Sequence, residues 1–142
     1  MQNLKSYIYQ AIPLAIFLAI LILIPVLYSC ADATSCSLRS LVWNLTFPVL
    51  DPVFIFAQWA IVPSIAVLFF RWSTFRSWLR FVAWAIPLSI IFIALIPVNS
   101  SGAYMDLFPF YRDDAARLAG EVFAAASLVL IIWRWWRTRL SK

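Results

Sequence analysis

The chain has 142 residues and a formal net charge of +5; 65% of its residues are hydrophobic and only 12% are charged. A soluble domain carries about one quarter charged residues, and a fold this short has too much surface to hide so many apolar side chains from water. The composition therefore excludes an ordinary water-soluble domain and indicates that lipid is the solvent.

Four long apolar runs divide the chain. Each has about 18 or more residues with few charges, which is the length that a helix needs to cross the hydrocarbon core. The predicted spans cover about residues 7–28, 52–71, 79–98 and 115–136. The predicted fold is therefore an all-α membrane protein, a bundle of four transmembrane helices that forms one integral membrane domain over residues 1–142.

The first run, residues 11–28, contains only apolar, aromatic and proline residues. Pro25 frees the carbonyl of Leu21 and predicts a kink or an early stop near the far end. Residues 31–33, Ala-Asp-Ala, resemble a signal-peptide cleavage site. The apolar core is longer than the roughly 7–15 residues of a secretory signal, however, so we expect a retained helix.

The connection between the first two runs, residues 29–50, contains a short helical pattern. Leu38, Leu41, Val42 and Leu45 recur at i, i+3, i+4 and i+7, the spacing of one helix face. This predicted helix of the first outer loop is too short to cross the membrane. It either lies at the lipid interface or packs as a lid on the bundle.

The second run opens with Asp51 and Pro52. Aspartate is a favoured N-cap and proline a favoured first helical residue, so this pair predicts the start of a helix. Gln58 lies within the run, and an amide in hydrocarbon needs a hydrogen-bond partner. We expect that partner inside the bundle; a contact with a substrate is the alternative.

A basic stretch, residues 71–80, separates the second and third runs. Its sequence, RWSTFRSWLR, holds three arginines and no acid. We interpret it as a cytoplasmic connection between two helical hairpins, because short cytoplasmic loops are enriched in arginine and lysine.

The remaining charges support the same orientation. With both termini in the cytoplasm, that side holds eight basic residues and no acid, whereas the other side holds three arginines and all six acids. The cytoplasmic set is Lys5, Arg71, Arg76, Arg80, Arg134, Arg137, Arg139 and Lys142. The positive-inside rule therefore predicts that the N- and C-termini lie in the cytoplasm. The compact loops fit a bacterial inner (plasma) membrane, which is the predicted location.

The two halves of the chain share short motifs. AIPL occurs at residues 11–14 and 85–88, and LIPV occurs at residues 23–26 and 95–98. Two parallel hairpins related by an axis along the membrane normal would explain such a repeat. Coincidence within a small apolar alphabet is the alternative, and the unequal spacing of the prolines favours it.

Cys30 and Cys36, the two cysteines, both fall in the first outer loop. In an oxidising compartment they form a candidate disulfide. A structural disulfide is the favoured interpretation. The alternatives are a redox-active pair that exchanges with a partner protein, and two inert thiols.

The fourth run begins with a charged segment. Asp113, Arg117 and Glu121 are spaced by four residues, so one helix face stacks an acid, a base and an acid. Glu121 is the acid expected to lie deepest in the membrane, where a carboxylate is a candidate proton or cation site. Together with Gln58 these residues form the predicted ion or polar site. An Arg117–Glu121 pair that only orients the helix is the favoured alternative.

Small residues form a ridge on the same helix. Ala116, Gly120 and Ala124 repeat every four residues, and Ser127 follows one turn later. Such a ridge predicts the close approach of another helix. A helix of the same chain is favoured over a helix of a second copy.

No motif in the sequence carries a catalytic chemistry. The absence of histidine removes the usual acid–base group and the commonest metal ligand, and two glycines are too few for a phosphate loop. The sequence predicts no cofactor, no metal site and no nucleic-acid binding, and it favours a non-catalytic accessory or interaction protein over an enzyme. Its expected partners are the lipid bilayer and either another membrane protein or a second copy. A thiol–disulfide protein using Cys30 and Cys36, and a small carrier using Glu121, are the alternatives.

Overall fold

The computed structural model describes residues 4–32, 37, 39–96 and 111–140. Every element in this part of the chain is helical: α1 (Leu4–Asp32), α2 (Arg39–Leu45), a π-helical turn (Thr46–Leu50), α3 (Asp51–Leu68), α4 (Trp72–Ala94) and α5 (Arg112–Leu140). Four of these helices, α1, α3, α4 and α5, are long and apolar enough to cross a membrane. The chain is thus an all-helical integral membrane protein, as its hydrophobic runs predict.

The four long helices pack in the order α1, α3, α5, α4, so α3 and α5 occupy the centre. Two hydrogen bonds show that α1 and α3 are antiparallel. Gln10, near the start of α1, donates from Nε2 to the carbonyl of Phe70 just beyond the end of α3, at 3.1 Å. At the other end, the Tyr28 hydroxyl donates to the Asp51 carboxylate.

Aromatic contacts give the directions of α4 and α5. Phe56 lies 5.3 Å from Phe123 and Phe70 lies 6.5 Å from Trp135, measured between ring centroids, so α5 runs parallel to α3. Phe81 of α4 stacks on Phe123 at 5.9 Å, and the last turn of α4 meets the first residue of α5, so these two helices are antiparallel. The molecule therefore contains two antiparallel hairpins whose second helices lie parallel, the arrangement that the sequence repeat would produce.

The connection between α3 and α4 is much shorter than predicted, because α4 already begins at Trp72. Arg71 is extended, with φ −65° and ψ 153°, and its carbonyl accepts hydrogen bonds from the N–H groups of Thr74 and Phe75 at 2.9 and 3.2 Å. The basic stretch contains no proline or glycine to stop a helix. Thr74, Phe75 and Trp78 share a buried face, so packing determines this segment and its charge does not.

A π-helical turn joins α2 to α3. Its hydrogen bonding is of the i+5 type, with the Asp51 N–H donating to the carbonyl of Thr46. Pro48 lies within this turn and Pro52 follows it; because Pro52 has no N–H, the carbonyl of Pro48 lacks a donor four residues further along. The helix therefore enters α3 without a break, and the prediction of Asp51 as an N-cap is wrong. Its carboxylate binds Tyr28 instead.

The connection between α1 and α3 holds the predicted short helix, α2. Val42 is buried, with 2% of its surface exposed, whereas Leu41 and Leu45 remain exposed. Of the face residues that the structure describes, Leu41, Val42 and Leu45, only Val42 is buried. Before this connection, α1 continues past Pro25 to Asp32, so the predicted early stop of that helix is wrong.

The hydroxyl of Tyr28 is a direct link between α1 and α3. We expect Tyr28→Phe to lower the free energy of unfolding by about 1 kcal/mol, because the Asp51 carboxylate loses its donor. Thermal unfolding in detergent micelles measures this change, with Tyr7→Phe at an exposed position as the control. Equal unfolding midpoints for the two variants would contradict a stabilising role for this hydrogen bond.

Candidate functional site: a polar groove between α3 and α5

A groove of about 600 Å³ lies between α3 and α5, towards the ends at which both helices begin. Its lining residues are Ile55, Gln58, Trp59, Val62, Asp113, Asp114 and Arg117. Gln58, Asp113 and Arg117 were predicted as parts of one polar site from positions far apart in the sequence. The parallel packing of α3 and α5 brings them to one groove.

An ion pair runs along the α5 side of the groove. Arg117 Nε lies 3.0 Å from Glu121 Oε1, and the two side chains are 69% and 41% exposed. An exposed pair of this i,i+4 type contributes only about 0.3–0.5 kcal/mol to stability in water. Glu121 is thus held beside a guanidinium. Of the pair, Arg117 lines the groove and Glu121 is not among the lining residues, so the groove gathers three of the four residues predicted for the polar site.

The mouth of the groove is acidic. Asp113 and Asp114 lie in the first turn of α5, where the helix dipole favours negative charge. Asp114 Oδ2 accepts a hydrogen bond from the Tyr111 N–H at 3.1 Å. Asp51 lies within electrostatic range of Asp113. Among the residues that line the groove, the carboxylates of Asp113 and Asp114 outnumber the Arg117 guanidinium, which gives a local charge of −1 (two negative, one positive).

Gln58 faces this groove and not the bundle interior. Its side chain is exposed, about 10 Å along α3 from Asp51 at the usual helical rise. Within the described residues it makes no hydrogen bond. The expectation that Gln58 finds its partner inside the bundle is therefore wrong for this part of the chain.

The predicted small-residue ridge lies where α5 packs on α3. Ala116, Gly120, Ala124 and Ser127 are all buried. Gly120 is the closest point: a Cβ placed there would lie 2.8 Å from Cδ1 of Trp59. The ridge thus lets the Trp59 ring rest on the α5 backbone, and the same ring forms part of the groove wall.

A matching set of small residues on α3 was not predicted. Ala57, Ala60 and Ser64 are buried, each with at most 1% exposure, and the Ser64 hydroxyl donates to the Ala60 carbonyl at 2.7 Å. Their spacing of three and four residues was a readable signal in the sequence.

Arg112 is a second residue whose role the sequence did not reveal. Its Nε donates to the carbonyl of Ile96 at 3.1 Å, and its two terminal nitrogens donate to the carbonyls of Pro48 at 3.1 Å and Ala94 at 3.4 Å. These are carbonyls at the end of α4 and in the π-helical turn, and Pro52 leaves the Pro48 carbonyl without its i+4 donor. Arg112 therefore joins three elements at the mouth of the groove.

A smaller cleft of about 290 Å³ lies beside the groove, under α2. Its lining residues are Tyr28, Ala31, Asp32, Trp43, Thr46 and Asp51. Cys30 lies nearby in the last turns of α1, but Cys36 is outside the described residues, so their disulfide stays a prediction. Within residues 4–32, 37, 39–96 and 111–140, no group of three or more His, Cys, Asp or Glu side chains could hold a metal ion.

Comparison with known proteins adds no relative to this description. No family model, no curated protein and no solved structure matches the chain. The functional interpretation therefore rests on the groove itself: an exposed amide, an arginine held in an ion pair and an acidic mouth, on the side of two helices long enough to span a membrane.

Proposed function

We propose that this chain is a non-catalytic accessory protein of the membrane, and that it binds a transmembrane helix of a partner protein in the groove between α3 and α5. The observation that carries the proposal is Gln58, an exposed amide on a helix long enough to span a membrane. A polar side chain at this position is costly against lipid tails and is stabilised by a hydrogen bond from a neighbouring helix.

The charge of the groove indicates which side chains the partner helix should carry. The acidic mouth, formed by Asp113 and Asp114, favours a lysine or arginine near the end of the partner helix. Deeper in the groove, Gln58 offers both a donor and an acceptor to a serine, threonine, asparagine or glutamine. Trp59 and Val62 supply the apolar wall against which such a helix packs.

The proposed location is the bacterial inner membrane, with both termini in the cytoplasm. The arginines at one end of the bundle support this orientation through the positive-inside rule. They are Arg71, Arg76, Arg80, Arg134 and Arg137. The groove would then open towards the outer leaflet, where the proposed partner helix would place its basic residue.

The two alternative functions receive less support from the site. A carrier acting through Glu121 requires a carboxylate that exchanges its ion, and Glu121 lies 3.0 Å from the Arg117 guanidinium. A thiol–disulfide role depends on Cys36, outside the described residues. Neither alternative uses the exposed amide of Gln58.

A photo-crosslinking experiment tests the proposed function. Benzoylphenylalanine replaces Val62 in the groove, which is 49% exposed, or Leu88 on α4, which is 69% exposed, as the control. In native membranes we expect irradiation to give a discrete protein adduct from position 62 and none from position 88. Neutralising the mouth with Asp113→Asn and Asp114→Asn should reduce the adduct several-fold. Equal adducts from both positions, or lipid adducts alone, would contradict the proposal.

A further inference from the structure

The end of the bundle away from the groove is strongly basic. Five exposed arginines lie there: Arg71, Arg76, Arg80, Arg134 and Arg137. The acids of the described residues lie in the other half of the molecule, and the ion pair found among them, Arg117–Glu121, is also there. No carboxylate in this part of the chain therefore neutralises the basic end.

Two of these arginines belong to a polar stripe on α4. The stripe consists of Ser73, Arg76, Ser77 and Arg80, at i, i+3, i+4 and i+7 of the helix. It lies opposite the buried face of α4, formed by Thr74, Phe75 and Trp78. The first turns of α4 are thus amphipathic: one face packs on the bundle, and the Ser–Arg stripe faces outwards.

Arg80 lies where a guanidinium favours contact with headgroups or with a counter-charge. It lies about 12 Å along α4 from Trp72 at the usual helical rise, within a helix that can cross the membrane. The next turn carries Trp84, which is 82% exposed. A charged side chain at the edge of the hydrocarbon is costly unless it reaches the polar headgroups or a counter-charge.

Helix geometry directs both arginines to the same place. Side chains on an α-helix lean towards its N-terminus, so Arg76 and Arg80 extend along the stripe towards Trp72, where headgroups lie. The Arg76 guanidinium already lies 5.5 Å from the centre of the Trp72 ring. The N-terminus of α4 adds the positive end of the helix dipole near Ser73.

We infer that the Ser–Arg stripe binds an anionic phospholipid of the adjacent leaflet. The guanidinium groups of Arg76 and Arg80 contact the phosphate oxygens, and the hydroxyl of Ser73 donates a further hydrogen bond. Trp84 packs against the glycerol and the upper acyl chain. The lipid is the occupant, and not a free anion, because the stripe continues directly into the apolar, exposed surface of α4.

Native mass spectrometry of the purified full chain in detergent tests this inference. Phosphatidylglycerol and phosphatidylcholine with identical acyl chains are added separately, and the lipid-bound fractions are compared. We expect phosphatidylglycerol to bind more tightly. The double variant Arg76→Gln and Arg80→Gln should weaken that binding about 30-fold, because each basic residue near an anionic lipid contributes about 1 kcal/mol to binding.

The control removes the same charge from the same end of the molecule. Arg134→Gln with Arg137→Gln should change phosphatidylglycerol binding less than threefold, since these side chains lie on α5, outside the stripe. The single variant Arg80→Lys, which keeps the charge, should retain most of the binding. An unfolding midpoint of the double variant equal to that of the unchanged protein shows that its loss of binding is not a folding defect.

Three results would overturn the inference. Equal binding of the two lipids would show that headgroup charge is not recognised. Equal losses of phosphatidylglycerol binding in the stripe variant and the α5 variant would show that the lipid is attracted by the overall positive charge of this end and not by a specific site. Displacement of phosphatidylglycerol by millimolar inorganic phosphate, with no effect of acyl chains, would identify the ligand as a free anion.

Discussion

Arg112→Ala is expected to lower the free energy of unfolding by about 3 kcal/mol, one of the two largest effects that we predict for a single substitution. A hydrogen bond from a charged donor contributes about 1.5–3 kcal/mol, and Arg112 makes three, of which two are 3.1 Å long. Its removal leaves the carbonyls of Pro48 and Ile96 without this donor at the edge of the membrane.

Arg117 provides a matched control for this substitution. It is the next arginine on the same helix, but its side chain is 69% exposed and, within the described residues, pairs only with Glu121. We expect Arg117→Ala to change stability by about 0.5 kcal/mol or less. Arg112→Lys should fall between the two, because one ammonium cannot reach three divergent carbonyls with the geometry of a guanidinium. Titration with a denaturing detergent measures all three, and equal midpoints for Arg112→Ala and Arg117→Ala would contradict the role of Arg112.

The difference between Arg112 and Arg117 shows what the sequence could not predict. Both are isolated arginines near the start of the fourth apolar run, and spacing favoured Arg117 as the residue with a partner. The partners of Arg112 are main-chain carbonyls of α4 and the π-helical turn. Main-chain carbonyl partners cannot be recognised from the sequence, because every residue has a carbonyl. Only Pro52, which lacks the N–H that would bind the Pro48 carbonyl, gave a partial signal.

The presence of four membrane-length helices was predictable because the lipid bilayer sets a simple requirement for helix length and composition. Each crossing needs about 18–20 apolar residues, with every backbone polar group hydrogen-bonded within the protein. The length and composition of an apolar run in the sequence show directly whether it meets this requirement. The helix ends follow a different rule. In the basic stretch, charge favoured a loop, but the burial of Phe75 and Trp78 against the bundle extends α4 back to Trp72.

The rotation of each helix was the least predictable feature. α3 is apolar around its whole circumference, so its hydrophobic pattern does not indicate which side faces its neighbours, and only its set of small residues marks that side. Gln58 was expected inside the bundle because an amide in lipid needs a hydrogen-bond partner, and it is found in the groove. On α5 the small residues do mark one side, and the ridge of Ala116, Gly120 and Ala124 is buried.

Gly120→Leu is expected to destabilise the helix bundle by about 3 kcal/mol or more. Even a single Cβ at this position would lie 2.8 Å from Cδ1, 3.0 Å from Cβ and 3.1 Å from Cγ of Trp59, closer than van der Waals contact. The backbone fixes the position of the Trp59 Cβ, and Cγ can move away only by a change of the χ1 rotamer. Overpacking in a well-packed interior costs about 1–3 kcal/mol, and leucine adds three further carbons to this contact.

Ala125→Leu is the control for this substitution, since Ala125 is exposed on the same helix and accepts a larger side chain at little cost. Gly120→Ala should give an intermediate loss. The double variant Gly120→Leu and Trp59→Ala should recover part of the stability lost in Gly120→Leu, because removing the ring makes space for the new side chain. Unfolding midpoints in detergent measure the series, and a Gly120→Leu midpoint equal to that of Ala125→Leu would show that α3 and α5 do not pack closely.

Position 120 also connects the packing of the helix bundle to the proposed function. Trp59 forms both the contact with Gly120 and a wall of the groove, so a side chain at position 120 that displaces the ring should also change the shape of the groove. We therefore expect Gly120→Ala, the milder variant, to reduce crosslinking from position 62 while the protein remains folded. A folded Gly120→Ala protein with an unchanged adduct would show that the helix contact and the binding of the partner are independent. The contact at Gly120 would then be a structural feature alone, and the partner helix would bind a part of the groove that Trp59 does not shape.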